Sequence, residues 1–252
     1  MTTLSAIVTC HAAQPDAILA CLAGQTRAAD EILLGWSEAP HGASNITGVT
    51  RVEEADDEKD FGYGKRQRLA SQAKSEWLGF FCHDDSYHPR YVELMMAFGD
   101  VRREGPSNSA ELDVVWCPWN DRPGCSFRPC DSTLGNFIVR RETFMKAKGF
   151  AEFGVGAQLV DPWGRVFNGP NHGLRDAAFI KRVRAQTSRI EKVSTLLYYH
   201  NVPFDESVKA TSWGQPCQSA KYADMLSYTN RQLEAKDAQS TIEGNEEATE
   251  SA

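Results

Sequence analysis

The sequence predicts an α/β fold in which a mostly parallel central sheet is covered by helices on both faces. Short apolar, β-branched segments alternate with amphipathic helical segments over the first hundred residues, which is the pattern of parallel sheets. The chain has 252 residues and 41% apolar content, which suits one full core with an appendage. Because ligands bind beyond the carboxyl ends of parallel strands, we expect function at the residues where strands end.

The first half of the chain supplies most of this sheet, in the order strand, helix, strand, strand, helix, strand, helix. The segment "QPDAILACLAGQ" predicts a helix that begins near Pro15 and stops at Gly24. In the second helix, "GKRQRLASQAKS", the inward residues are Leu69, Ala70 and Ala73. The third helix, "PRYVELMMAFGDV", carries a proline in its first turn. The strands are expected at "LSAIVTC", "DEILLGW", "GVTRVEEADD" and "EWLGFFC".

The second half is less regular, but it still alternates apolar and amphipathic segments. Strands are expected at "LDVVWCPW" and "SRIEKVSTLLYYHNV", and "NFIVRRETFMKAKGF" predicts a strand running into a helix that ends at Gly149. The turn-rich "NDRPGCSFRPCDSTLG" and the Gly- and Pro-rich "AEFGVGAQLVDPWGRVFNGPNHG" are expected to be loops. "LRDAAFIKRVRAQ" predicts a helix with Asp176 in its first turn, and another helix is expected around "SAKYADMLSYTNRQLEAK". The predicted domains are a main domain over 1–205, a helical extension over 206–236 and a disordered acidic tail over 237–252.

Charge and composition exclude some functional classes and suggest a compartment. The formal net charge is −7, and most of it belongs to the acidic C-terminal segment, so the body lacks the basic surplus of strong nucleic-acid binders. The sequence contains no signal-peptide pattern and no apolar run of membrane-spanning length, so a cytoplasmic location is expected. In that compartment the seven cysteines should be mainly free thiols; a zinc site at Cys125 and Cys130 is the lesser alternative, because such sites favour tighter pairs than C-x4-C.

Two acids follow directly after the buried strand "EWLGFFC". Asp84 and Asp85 repel each other unless a cation neutralises them, and Mg²⁺ or Mn²⁺ is held in this way by one or two carboxylates. The alternative is an acid pair in a turn before a helix, which "DDS" followed by a proline also suits.

Three further residues have a functional and a structural interpretation each. Asp176 is either a general base or a helix-dipole acid, and His200 at the end of "LLYYHNV" is either a metal ligand or a structural histidine. Arg66 follows a Gly-rich turn at a helix start, where it could bind phosphate, but with Lys65 and Arg68 it could also form a solvated face.

The order of these motifs resembles the GT-A fold glycosyltransferases of family 2. "SAIVTCHAAQPDAILACLAGQTRAADEILLGW" is similar to the opening of that family, and "GKRQRLASQAKSEWLGFFCHDDSYHPRYVELM" resembles the block that ends in its D-x-D motif. In this match, which covers about residues 4–203, Asp85 falls on the last acid of that motif and His83 on the first. Asp176 falls on the family's catalytic acid, and His200 falls on the histidine that ends the family's following strand. The resemblance implies a GT-A type Rossmann-like three-layer sandwich.

The resemblance also implies a metal-dependent hexosyl- or pentosyltransferase that moves a sugar from a nucleotide-diphosphate sugar to an acceptor hydroxyl. It places the donor near Thr9, His11 and Trp36, the last in place of the family's acid on the second strand. It places Mn²⁺ or Mg²⁺ on Asp85, with Asp84 and His200, and it makes Arg66 a phosphate contact. It also makes Asp176 the base of an inverting reaction, which a loop containing Trp163 closes over.

The acceptor is open: a glycan, a small molecule, a protein or a modified nucleic acid would fit. The main alternative is a catalytically inactive nucleotide-sugar-binding module of the same fold. A nucleotidyltransferase is disfavoured, because "TCHAAQPD" at the end of the first strand contains no Gly and no Arg or Lys.

Overall fold

The computed structural model describes ten segments of the chain: 2–10, 15–36, 48–53, 62–100, 112–119, 133–150, 158–160, 166–168, 172–199 and 226–235. None of the helices in these segments is long and apolar enough to cross a membrane. The strands are β1 Leu4–Cys10, β2 Glu31–Trp36, β3 Arg51–Glu53, β4 Trp77–Cys82, β5 Ser86–Tyr87, β6 Val114–Trp116, β7 Phe137–Arg140, β8 Gln158–Val160, β9 Val166–Asn168, β10 Ile190–Lys192 and β11 Tyr198–Tyr199. The helices are α1 Asp16–Ala23, α2 Tyr63–Gln72, α3 Tyr91–Asp100, α4 Arg141–Lys146, α5 His172–Gln186 and α6 over 226–235.

Seven of the strands form one mostly parallel sheet, as predicted. Their order is β10-β6-β7-β4-β1-β2-β3, and β7 alone among them runs antiparallel to its neighbours. β1 lies between β4 and β2 and is parallel to both. The carboxyl ends of β1, β2 and β4 therefore meet at one edge of the sheet.

Both faces of the sheet are covered, which makes a three-layer sandwich. Alternate side chains of β1 point to opposite faces, so Ala6 and Val8 pack in one hydrophobic cluster and Ile7 in the other. The first cluster includes residues of α1 and α3, and the second includes residues of α2, α4 and α5. The predicted inward residues of α2, namely Leu69, Ala70 and Ala73, are buried in the second cluster.

Four details differ from the sequence prediction. The segment 151–173 is predicted as a loop, but Gln158–Val160 and Val166–Asn168 form the antiparallel pair β8–β9, because runs of three residues are too short to stand out as strands in the sequence. The predicted last strand is divided: β10 pairs at the edge of the main sheet, while β11 pairs with β5 in a separate two-stranded sheet. α3 begins two residues after Pro89. α5 begins at His172, two residues earlier than predicted. The prediction started after Gly173 because glycine is a poor helix former, but Gly173 is helical in the structure.

The antiparallel β5–β11 pair is supported by α6, which lies within the predicted C-terminal helical extension. Thr229 accepts a hydrogen bond from the Tyr199 hydroxyl at 2.9 Å and donates one to the carbonyl of Leu196 at 3.0 Å. The His88 Nε2 atom lies 3.0 Å from Asn230 Oδ1. The predicted tail over 237–252 lies outside the described residues, and the division into domains stays a prediction.

Candidate functional site

The edge where β1, β2 and β4 end carries several of the predicted site residues. In the strand register Thr9 lies opposite Gly35 on one side and Cys82 on the other, so these three residues face the α2 side of the sheet. A Cβ atom at Gly35 would lie 2.5 Å from Cδ of Lys65, so the glycine makes room for the lysine side chain to cross the strand end. The first turn of α2 thus lies over this edge.

A group of three potential metal ligands lies directly after β4. The Cys82 Sγ atom and carboxylate oxygens of Asp84 and Asp85 all lie within 4.8 Å of one another. The backbone N–H of Asp85 donates to the carbonyl of Cys82 at 3.3 Å, and this turn brings the two residues together. Two carboxylates and a sulfur at this spacing fit a divalent cation: the carboxylates suit the Mn²⁺ or Mg²⁺ that the resemblance implies, while the sulfur suits a softer ion.

The structure changes the sequence assignment within this turn. Cys82, and not His83, joins the two acids of the ligand group. The Nε2 atom of His83 is buried and has no hydrogen-bond partner among the described residues. Sequence reasoning treated Cys82 only as a free thiol. Its position at the very end of a buried strand, three residues before Asp85, was the signal that was available.

Asp85 is held by a tyrosine from a distant segment. Only 2% of Asp85 is exposed, and its Oδ2 atom accepts a hydrogen bond from the Tyr198 hydroxyl at 2.8 Å. That hydroxyl in turn accepts one from Thr133 Oγ1 at 3.1 Å. Burial and the charge of Asp85 raise the pKa of Tyr198 well above its usual value, so the hydroxyl stays protonated and acts as the hydrogen-bond donor to Asp85. Gly135 leaves the space for the ring, since a Cβ there would lie 2.4 Å from Tyr198 Cε2.

On the α2 side, Arg66 contacts the same turn. Its Nη2 atom donates to Cys82 Sγ at 3.2 Å, and its guanidinium lies 5.3 Å from the centroid of the Tyr63 ring. Burial lowers the pKa of Arg66, but the nearby Cys82, Tyr63 and Asp176 outweigh it, and the net pKa is raised. Lys65 and Arg66 are buried whereas Arg68 is exposed, so the interpretation of these residues as one solvated face is wrong for the first two.

Asp176 lies at the other end of this set of contacts. Its Oδ1 atom accepts a hydrogen bond from the Tyr63 hydroxyl, whose pKa is raised first by burial and then by the charge of Asp176. Asp176 is the fifth residue of α5, and the first turn of that helix contains no acid. The helix-dipole interpretation of Asp176 therefore does not apply, because the dipole effect falls off within the first turn.

The described contacts connect the two predicted acids. They run from Asp85, whose carboxylate lies within 4.8 Å of Cys82 Sγ, through Arg66 and Tyr63 to Asp176. Sequence reasoning missed Tyr63, Tyr198 and Cys82, because the role of each depends on a contact across more than a hundred residues or on a turn.

Of the remaining predicted residues, the structure describes Thr9 and Trp36. The Thr9 hydroxyl is buried and has no hydrogen-bond partner within the described ranges. Trp36, predicted to stack on a base, is only 6% exposed and packs in the first hydrophobic cluster. His11, His200 and Trp163 lie outside the described residues, as do Cys125 and Cys130. Among the described residues, Cys10, Cys21, Cys82 and Cys117 form no disulfide.

Comparison with known proteins gives matches at the level of structure. No family model matches the chain, and no curated protein matches it by sequence. The structure of Staphylococcus aureus TarS 1–349 in complex with UDP matches with a TM-score of 0.56 at 16% identity, covering 78% of this chain and 60% of that chain. The same fragment in complex with UDP-GlcNAc matches with a TM-score of 0.55 at 16% identity, covering 78% and 58%.

A third match is the longer chain of S. aureus TarS, with a TM-score of 0.56 at 15% identity, covering 79% of this chain and 37% of that one. This chain therefore spans at most about 60% of the length of these TarS chains. At these identities the likeness concerns the fold alone. The fold is the GT-A type Rossmann-like sandwich that the sequence resemblance implied.

Proposed function

We propose that this chain is a glycosyltransferase that moves a hexosyl or pentosyl group from a nucleotide-diphosphate sugar to an acceptor hydroxyl, with inversion at the anomeric carbon. The observation that carries the proposal is the connected set of contacts from Asp85 to Asp176 across the carboxyl edge of the sheet. A cation site and a general base on either side of a buried arginine are what such a transfer needs. The complexes of TarS with UDP and UDP-GlcNAc support a donor of this class.

Asp84, Asp85 and Cys82 would hold the divalent ion, which supplies charge stabilisation for the departing diphosphate when it is bound. Tyr198 fixes the Asp85 carboxylate by its hydrogen bond. Arg66 adds positive charge beside this group and donates hydrogen bonds to phosphate oxygens. Lys65, buried over the end of β2, adds a second positive charge on the same side.

Asp176 accepts the proton of the acceptor hydroxyl. At the same time the acceptor oxygen forms a bond to the anomeric carbon, and the bond from that carbon to the diphosphate oxygen breaks. The bonding electrons leave with the nucleotide diphosphate, and attack from the opposite side inverts the configuration. Tyr63 orients the Asp176 carboxylate through its hydroxyl. The identity of the acceptor stays open among glycans, small molecules, proteins and modified nucleic acids.

The experiment that tests this proposal measures donor binding and donor turnover on the same protein. Calorimetric titration with UDP and a panel of UDP- and other nucleotide sugars, with and without Mn²⁺, should show metal-dependent binding, and prolonged incubation should show slow donor hydrolysis. Arg66→Gln should weaken binding by at least about tenfold, because it removes a charged donor to phosphate.

Arg68→Gln is the matched control, because it removes an exposed arginine from the same helix and should leave binding unchanged. Binding without any hydrolysis or transfer would identify the inactive nucleotide-sugar-binding module instead. Absence of binding to every nucleotide and sugar nucleotide would contradict both.

A further inference from the structure

The cation site after β4 differs from an all-carboxylate site in one ligand, the sulfur of Cys82. Its Sγ atom lies within 4.8 Å of carboxylate oxygens of both Asp84 and Asp85, and all three groups project from one four-residue turn. Mg²⁺ requires oxygen ligands, whereas sulfur ligands favour softer ions. The identity of the donor atoms therefore bears on which ion the site prefers.

The sulfur is placed as a hydrogen-bond acceptor facing polar groups. Arg66 Nη2 donates a hydrogen bond to it at 3.2 Å, so the sulfur lone pairs face the polar side of the site. On the neighbouring strand Thr9 lies opposite Cys82 in register, so both side chains are on the same face of the sheet. The Thr9 hydroxyl is buried without a hydrogen-bond partner among the described residues, and the residue is 6% exposed. A buried polar atom of this kind calls for a ligand or a water at this position.

We propose that Cys82 is a direct ligand of the bound ion and that the site selects a divalent transition metal of intermediate softness, such as Co²⁺, Fe²⁺ or Zn²⁺, over Mg²⁺. The inference rests on the proposed function for the presence of an ion, and it adds the class of ion. Asp84 and Asp85 supply hard oxygen ligands and Cys82 a soft one, and mixed S and O ligands suit the later first-row ions.

Cobalt titration of the full-length reduced chain tests this inference directly, because a cobalt–thiolate bond produces a sulfur-to-metal charge-transfer band in the near ultraviolet. The titration is run with and without UDP, and bound metal is counted by equilibrium dialysis. The native chain should show the band and should bind Co²⁺ in preference to Mg²⁺. Cys82→Ser should abolish the band. Cys82→Asp should abolish it and shift the preference toward Mg²⁺ by at least about tenfold, the scale on which even outer-shell changes alter metal affinity.

Matched variants assign the band to one thiol. Cys21→Ser changes another buried cysteine, whose Sγ contacts the carbonyl of Tyr87 at 3.6 Å, and should keep the band. The double variant Cys125→Ser/Cys130→Ser should also keep it. Loss of the band in either of these, its persistence in Cys82→Ser, or its absence from the native chain would overturn the inference.

The failures of the two proposals are distinguishable. A sulfur band with no binding or turnover of any nucleotide sugar would uphold the metal assignment and contradict the transferase. Donor turnover with Mg²⁺, equal in the native chain and Cys82→Ser, together with no sulfur band, would uphold the transferase and overturn the metal assignment.

Discussion

The turn after β4 and the first half of α5 each present a carboxylate that is held by a tyrosine hydroxyl, but the two surroundings differ. Asp85 is 2% exposed and lies between the end of β4 and the antiparallel β5–β11 pair, whose Tyr198 donates a hydrogen bond to it. Asp176 is half-buried on a helix, and the Tyr63 hydroxyl of another helix donates to it. Buried carboxylates need a cation or several donors, while a partly exposed one can exchange a proton with a substrate.

This difference suggests a division of roles. The position of the Asp85 carboxylate is fixed by the pairing of β5 with β11. Asp85 directly precedes β5, and Tyr198, which donates a hydrogen bond to it, belongs to β11. Precise placement of that kind suits a ligand of an ion. Asp176 lies on a helix, is partly exposed and accepts a hydrogen bond from the Tyr63 hydroxyl, which suits a group that approaches a reacting atom.

The largest expected effect comes from removing each carboxylate charge. We expect Asp85→Asn and Asp176→Asn each to reduce sugar transfer by at least about a hundredfold, the scale of losing one acid–base or electrostatic group. The same holds for the alanine variants. The two should separate in calorimetry: Asp176→Asn should bind the donor as the native chain does, and Asp85→Asn should bind it weakly.

Glu93→Gln serves as the control, since it removes a more exposed acid that is paired with Arg90 at 3.1 Å just beyond the same turn. Native activity in either aspartate variant would remove that residue from the proposed mechanism. Equal loss of donor binding in both variants would show that the division of roles is wrong.

A smaller effect is expected from removing the tyrosine hydroxyls. Tyr198→Phe should weaken metal affinity about tenfold, the lower end of what an outer-shell partner contributes, with little change at saturating metal. Tyr63→Phe should leave metal affinity unchanged and lower kcat. Metal titration by calorimetry and steady-state kinetics at saturating metal measure the two effects separately.

Tyr91→Phe is the matched control, because it also removes a buried hydroxyl, here one bonded to the carbonyl of Gly135 at 3.0 Å, without touching either acid. If all three phenylalanine variants changed metal affinity and kcat in the same proportion, the tyrosines would have a packing role only.

The sequence predicted the sheet and the acids, but not the residues that hold them. The strands and helices that supply Asp85, Arg66 and Asp176 carry strong apolar periodicity, so their order was readable. The β5–β11 pairing was not readable, because each strand has two residues and the pairing joins segments more than a hundred residues apart. Tyr198 and Tyr63 acquire their roles only through such contacts, and the ligand role of Cys82 depends on a turn that returns Asp85 to the strand end.

The smallest expected effect concerns α6, which supports the Asp85 side through His88. The His88 imidazole contacts Asn230 of α6 through Nε2, and its Nδ1 atom accepts a hydrogen bond from the backbone N–H of Arg90 at 3.1 Å. The charged groups that affect its pKa are Arg90 and Glu93. Burial lowers the pKa of His88, so the folded chain keeps the neutral ring while the unfolded chain takes up a proton below about pH 6.5. Its contribution to stability is present above that pH and is lost as the pH falls toward the folded-state pKa.

We therefore expect the free energy of unfolding to fall between pH 7 and pH 5, and His88→Gln to remove less than about 1 kcal/mol of that fall. Urea unfolding of both proteins at the two pH values measures the difference. A pH dependence in His88→Gln identical to the native one would show that the α6 contact carries no linkage to protonation, and that the Asp85 side is held by Thr229, Tyr199 and the β5–β11 ladder alone.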